Sequence, residues 1–234
     1  MFIMLDGIDG SGKGTIIEAW KQHLSDSGNG IFDLKKYILE TGHLPEISEL
    51  RAYEFIFSCE PTYIGIGKVI REELIKNGTA YPPLAIAEAY SLDRLILYTK
   101  IIIPLLQTDK CVIQDRGISS SLAYQTLQAG LTLDIVAGLP GNQLALQHRP
   151  DHLILTAVRP ETVMERLAKR TEKQDDVIFE KLAFQTKLAA KFASLEYQKI
   201  FTDAGAKITT LSAEPKIDIM NAEAVALLDS ILKI

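Results

Sequence analysis

"FIMLDGIDGSGKGT", residues 2–15, holds an apolar run, a glycine-rich turn and the start of a helical pattern in direct succession. Gly7, Gly12 and Lys13 satisfy the spacing G-x-x-x-x-G-K, and Ile16, Ile17, Trp20 and Leu24 recur behind it at the helical period. A strand that feeds a helix through such a turn points backbone N–H groups inward, and the helix N-terminus adds partial positive charge. The stretch predicts a phosphate cradle built from Gly7, Gly10, Ser11, Gly12, Lys13, Gly14 and Thr15, with Lys13 reaching the β- and γ-phosphates of a nucleoside triphosphate. Two residues depart from the usual pattern. Asp9 is an acid inside a cradle for anions. Gly14 stands where a hydroxyl commonly helps to hold magnesium, and the hydroxyl comes one place later, at Thr15.

Outward from this turn, strand-like runs at 53–59, 110–115, 152–158 and 206–211 alternate with helical patterns at 65–78, 82–107, 179–205 and 221–233. A weaker helical pattern over 31–52 is broken by Gly42 and Pro45. Alternation of this kind implies parallel pairing, right-handed crossovers and helices on both sheet faces. The reading is one α/β domain over residues 1–234: a three-layer α/β/α P-loop nucleoside triphosphate hydrolase fold around a five-stranded parallel sheet.

Composition narrows the classes. An apolar fraction of 47% over 234 residues supports a packed core and excludes a disordered chain. A net charge of −5 lacks the basic footprint of a general nucleic-acid binder. The two cysteines, Cys59 and Cys111, lie inside apolar runs, which suits reduced thiols better than a disulfide framework. Residues 1–6 lack a basic leader and read as a first strand, and no apolar run approaches the roughly 20 residues of a membrane span. The expectation is a cytoplasmic protein with neither membrane nor nucleic-acid partners. His148 and His152 are four apart, but Pro150 between them spoils a helix that would align them on a metal. The absence of an N-K-x-D guanine-reading motif disfavours a small GTPase.

The run "KCVIQD" (110–115) ends on Asp115, the Walker B arrangement that sets a carboxylate near magnesium. Arg116 follows at once, and the segment "CVIQDRGISSSLAYQ" (111–125) closely resembles the D-R-Y-x-x-S-x-x-A-Y-Q element of thymidylate kinases. The ending "GKGT" resembles nucleoside monophosphate kinases of the adenylate kinase type, and "GIDG" with "GK" and "T" resembles thymidylate kinases. "EPTYIGIGKVIREEL" (60–74), "AYSLDRL" (89–95) and "PDHLILTAVRPETVMERLAKRTEK" (150–173) are similar to further elements of that family and follow in family order.

The resemblance implies roles residue by residue. Arg116 would clasp the acceptor monophosphate, with Ser120, Ser121 and Tyr124 near its base and sugar. Glu60 and Arg71 belong to the acceptor side, Arg71 as a phosphate ligand with the matching guanidinium fork. Tyr90 would stack on the acceptor base and Arg94, one turn on, would hydrogen-bond it. Asp9 would accept a hydrogen bond from the acceptor's 3′-hydroxyl. Arg166 and Arg170 share a helix face in a lid over about 166–180 and would neutralise charge on the transferring group. Gly10 occupies the place where some members carry Arg, which fits the type whose lid supplies the basic residues. Magnesium would rest on Asp115, partly through water, with ATP as donor. The implied activity moves the ATP γ-phosphoryl group to a nucleoside monophosphate, dTMP foremost, in a homodimer.

Departures are also visible. Cys59 replaces an Arg, Thr62-Tyr63 replaces Gly-Gly, Gly117 replaces Tyr, and "DDVIFE" (175–180) replaces D-R-x-E. Residues 28–52 read as an insertion. The departures keep open a nucleotide-binding or regulatory protein without turnover, or a kinase for another nucleotide or deoxynucleoside.

Overall fold

Phe2 and Met4 pack into one apolar core while Ile3 and Leu5 pack into another. Strand β1 (Phe2–Gly7) is thus buried on both faces, as the middle of a parallel sheet requires. The computed structural model describes residues 1–168 and 181–233.

After β1 come α1 (Lys13–Asp26), β2 (Ile31–Asp33), α2 (Leu34–Thr41), α3 (Ile47–Leu50) and β3 (Phe55–Cys59). Next, α4 (Gly65–Val69) passes into a π turn at Ile70–Leu74, and α5 (Pro83–Leu97) passes through another at Tyr98–Ile102 into α6 (Ile103–Leu106). β4 (Cys111–Asp115) is followed by α7 (Ile118–Tyr124), α8 (Leu133–Gly138) and α9 (Pro140–Gln147). The remaining elements are β5 (His152–Ala157), α10 (Pro160–Ala168), α11 (Leu182–Ala193), α12 (Leu195–Thr202), β6 (Lys207–Ser212) and α13 (Ile217–Leu232).

Among the described residues the sheet has six parallel strands in the order β2-β3-β4-β1-β5-β6, one more than the five expected. The additional strand is Ile31–Asp33, at the sheet edge within the stretch whose pattern reads as weakly helical. Three residues are too few to display a period of two, and only Phe32 among them is buried. Pairing with β3, not local propensity, makes this a strand. Two expected helices are also divided. The 179–205 pattern breaks at Ser194, whose ψ of 136° is extended and whose hydroxyl caps α12 by accepting from the Tyr197 N–H at 3.3 Å. The 65–78 pattern ends in the π turn at Leu74.

Helices α1 and α13 cover the Ile3/Leu5 face, where fully buried Trp20 donates its Nε1–H to the Ala224 carbonyl at 2.8 Å. Leu97, Leu122, Ala145, Leu188 and Phe201 from α5, α7, α9, α11 and α12 cover the other. Strand register sets Asp115 beside both Leu5 and Cys59, and Gly7 beside Thr156. The loops that follow β1, β3, β4 and β5 therefore share one edge of the sheet, where open α/β folds place ligands. Among the described residues no helix is long and apolar enough to cross a membrane.

Candidate active site

The turn after β1 closes tightly on β5. Gly7 has φ +145°, and a Cβ there would lie 2.0 Å from the Thr156 hydroxyl, so only glycine fits. Fully buried Ser11 shares a 2.6 Å hydrogen bond between its hydroxyl and that of Thr156. Gly12, at φ +89°, turns the chain into α1. Gly10 also takes a left-handed φ, +74°. Gly14 has open space around its Cα, and Thr15 is half-buried beside it. The Lys13 ammonium donates to the carbonyls of Gly7 (3.0 Å) and Ile8 (2.7 Å) and to the Ser11 hydroxyl (3.3 Å). Burial and the nearby Arg116 charge lower its pKa to about 8, against the opposing pull of Asp9, Asp115 and Asp6.

Asp9 is not loose among these donors. Its carboxylate takes a short hydrogen bond from the Arg116 guanidinium and a 3.1 Å bond from the Gln185 amide, while its own N–H donates to Gln185 Oε1 at 3.2 Å. Burial opposes its ionisation, but Arg116, Lys13 and hydrogen bonds from Gln185 and Tyr124 outweigh it and hold its pKa below the ordinary value. Arg116 has φ +63°, an uncommon conformation for a side-chain-bearing residue, which aims the guanidinium back at the turn. It also donates to Gly7 O (3.3 Å), Ser120 Oγ (3.3 Å) and Tyr124 OH (3.1 Å). Beneath it lies Asp6, wholly buried, accepting from the Gly7 N–H at 2.7 Å and from the hydroxyls of Ser119 and Ser120.

A second cluster lies under α5. Arg94, 1% exposed, pairs with Glu60 at 2.6 Å, donates to Ser121 Oγ at 2.9 Å and makes a short bond to Asn142 Oδ1. Its Nε–H is buried without a partner among the described residues. Gln114 donates to Glu60 at 3.0 Å. Burial raises the Glu60 pKa to about 7, in spite of Arg94. Tyr90 sits between the clusters. Burial pushes its phenol up to about 12, and Arg71, Arg116, Asp9 and Arg94 all act on it.

Arg71 lies in the π turn after α4 and donates from Nε to the Pro61 carbonyl at 3.0 Å and the Thr62 carbonyl at 3.3 Å. Its guanidinium carbon stands 4.0 Å from the centre of the Tyr63 ring. Thr62 is fixed by Asp93, which accepts from its N–H at 2.7 Å and its hydroxyl at 2.6 Å. Asp115 ends β4 with a buried Oδ1 that has no hydrogen-bond partner among the described residues. A hard carboxylate oxygen left in this state matches what magnesium or its water shell takes. Gly117, where the resemblance expects Tyr, is closely approached: a Cβ would lie 2.5 Å from Met4 Cε and 2.8 Å from Gln114 Nε2, so a side chain there requires those two to shift.

The expected residues thus form three groups: Asp9, Arg116, Ser120 and Tyr124 at the turn; Glu60, Arg94 and Ser121 under α5; and Arg71 beside Tyr63. Arg166, on α10, donates to the Glu214 carbonyl at 3.5 Å, beyond the end of β6. Arg170 and most of the expected lid, with Glu180, lie outside the described residues. Sequence reasoning missed Asp6, Gln185 and Asn142. Asp6 carried a signal, since an acid closing an apolar strand before a phosphate turn needs partners. Gln185 and Asn142 had none, because each reaches its partner across more than 40 residues of chain.

A family model described as thymidylate kinase matches residues 43–224. The "Probable thymidylate kinase" of Thermococcus kodakarensis is 30% identical over 240 residues, covering 99% of this chain and 98% of that protein. The "Thymidylate kinase" of Bacillus velezensis is 28% identical over 236 residues, covering 100% and 97%. That of Prochlorococcus marinus strain MIT 9301 is 29% identical over 224 residues, covering 94% and 95%.

Proposed function

Because the chain belongs to the thymidylate kinase family, we propose that it transfers the γ-phosphoryl group of ATP to dTMP, releasing ADP and dTDP. The observation that carries this reading is the Arg116–Asp9 pair. It joins the residue placed for the acceptor phosphate to the turn placed for the donor, so both substrates meet at one edge of the sheet.

An oxygen of the acceptor phosphate attacks the γ-phosphorus while the bond to the β,γ-bridging oxygen breaks. No general base is required, since the attacking oxygen is already anionic. The work left for the protein is positioning and charge neutralisation. The N–H groups of residues 10–15 and the Lys13 ammonium hold the β- and γ-phosphates. Arg116 and Arg71 hold the acceptor phosphate, and Ser120 and Tyr124 steer Arg116. Arg94, with Glu60, Ser121 and Asn142 fixing its plane, keeps one buried N–H free to meet the acceptor base. Tyr90 offers its ring to that base, and Asp9 takes the 3′-hydroxyl. Asp115 would hold magnesium entering with ATP, partly through water, and the ion would supply charge neutralisation on the donor phosphates. Arg166 completes the neutralisation, together with Arg170, which lies outside the described residues.

The molecule is read as one domain with a functional role in the cytoplasm, where Cys59 and Cys111 stay reduced. It is read as a homodimer through α5, whose exposed Leu84, Leu92 and Ile96 share one helix face. Coupled assays of ADP release with dTMP, dUMP, dCMP, dGMP and AMP test the activity. The highest kcat/KM is expected with dTMP. ADP release that ignores every acceptor would sink the kinase reading and leave a nucleotide-binding protein.

A further inference from the structure

The segment between α1 and β3 places a cation beside Tyr63. Lys35, on the first turn of α2, holds its ammonium 5.0 Å from the centre of the Tyr63 ring. Arg71 stands at 4.0 Å from the same centre, so two cations lie against one aromatic side chain. Arg71 is anchored through Nε to the Pro61 and Thr62 carbonyls and its position is set by the loop after β3. Lys35 comes from an element remote in sequence, held against β3 by the edge strand β2.

The charge on Lys35 is not consumed by a neighbouring acid. Asp33, the nearest carboxylate in sequence, pairs with Lys21 at 2.5 Å and caps α2 by accepting from the Lys36 N–H at 3.0 Å. Among the described residues Lys35 has no carboxylate within ion-pair distance. Its side chain is half-buried, so the charge is screened less than on an open surface. The field of Lys35 also reaches the active edge. Burial dominates the Cys59 thiol, but Arg71, Asp115 and Lys35 all act on it. Cys59 is in register with Asp115, the carboxylate assigned to magnesium. Two cations against an aromatic ring, neither of them in an ion pair among the described residues, is an arrangement that an incoming dianion completes.

We propose that Lys35 and Arg71 form a two-cation cradle around Tyr63 for the phosphate of the acceptor nucleotide. The segment between α1 and β3 is then part of the binding site rather than a packing insert. This rests on the acceptor reading given above, and a comparison of a nucleotide with its nucleoside isolates the phosphate contribution. Titration calorimetry would measure dTMP and thymidine binding to wild type, Lys35→Gln and Lys35→Arg. Lys35→Gln is expected to weaken dTMP about tenfold, to leave thymidine within about twofold, and to flatten the salt dependence of dTMP binding. Lys35→Arg is expected to regain most of the loss. Equal weakening of dTMP and thymidine would overturn the proposal in favour of a structural contact with Tyr63, as would no change in either. Wild type that binds neither dTMP nor thymidine would instead overturn the acceptor reading, and this proposal with it.

Discussion

Lys13 is the residue proposed to carry the positive charge of the donor site, and burial makes that charge sensitive to pH. Its pKa falls from 10.5 to about 8 in the folded chain. A lysine depressed by folding loses its proton as pH rises through the folded value, whereas the unfolded chain keeps it until 10.5. ATP prefers the charged form, so donor binding near pH 8 takes up protons. The kcat/KM for ATP is expected to fall as pH rises through about 8. A profile that stays flat to about pH 9.5 would remove Lys13 as the titrating group. The same depression means that its ionisation opposes folding fully below the folded value and ceases to do so above 10.5. Asp9 behaves in the opposite sense. The Arg116 contact and the Gln185 bonds keep it ionised, which explains how an acid persists inside an anion cradle.

At the scale of elements, the Arg94 cluster depends on how closely α9 approaches α5. A Cβ on Gly141 would lie 1.8 Å from the Ser91 carbonyl oxygen, a backbone atom that no side-chain rotation can move. The Gly141 N–H also donates to the Ser91 hydroxyl at 2.9 Å. The next residue, Asn142, grips Arg94 and donates to the Val136 carbonyl at 2.6 Å. Gly141→Ala is therefore expected to separate the two helices and destabilise the fold by about 1–3 kcal/mol. It should also raise the KM for dTMP and leave the KM for ATP nearly unchanged. Unfolding and steady-state kinetics check both halves. A melting temperature within about 1 °C of wild type would show that the contact yields at little cost.

For the whole molecule, the face of α5 turned away from Arg94 is the surface proposed for association. Leu84, Leu92 and Ile96 are 44%, 48% and 42% exposed, an apolar row at four- and eight-residue spacing on one helix. If copies meet there, Leu92→Glu sets a buried charge at the centre of the contact. Sedimentation velocity is expected to find a dimer for wild type and a monomer for Leu92→Glu. A wild-type monomer at micromolar concentration would remove this surface from the assembly. Because α5 also carries Tyr90 and Arg94, loss of the dimer is expected to weaken acceptor binding as well.

Local pattern determined much of this protein. Residues 2–15 announce strand, phosphate turn and helix, since glycine conformation and hydrophobic period are properties of neighbours in the chain. Five of the six strands were legible in the same way, and motif spacing singled out Lys13 and Asp115, whereas Arg116, Arg94 and Glu60 were singled out by resemblance to thymidylate kinases. What the tertiary structure decided is who holds whom. Ile31–Asp33 becomes a strand only because β3 offers it an edge. Asp9 is satisfied only because Gln185 returns from 176 residues away and Arg116 from 107. Arg94 is oriented by Asn142 from a helix that docks through one glycine. Each of these depends on burial and distance between segments far apart in sequence, and no periodicity encodes either.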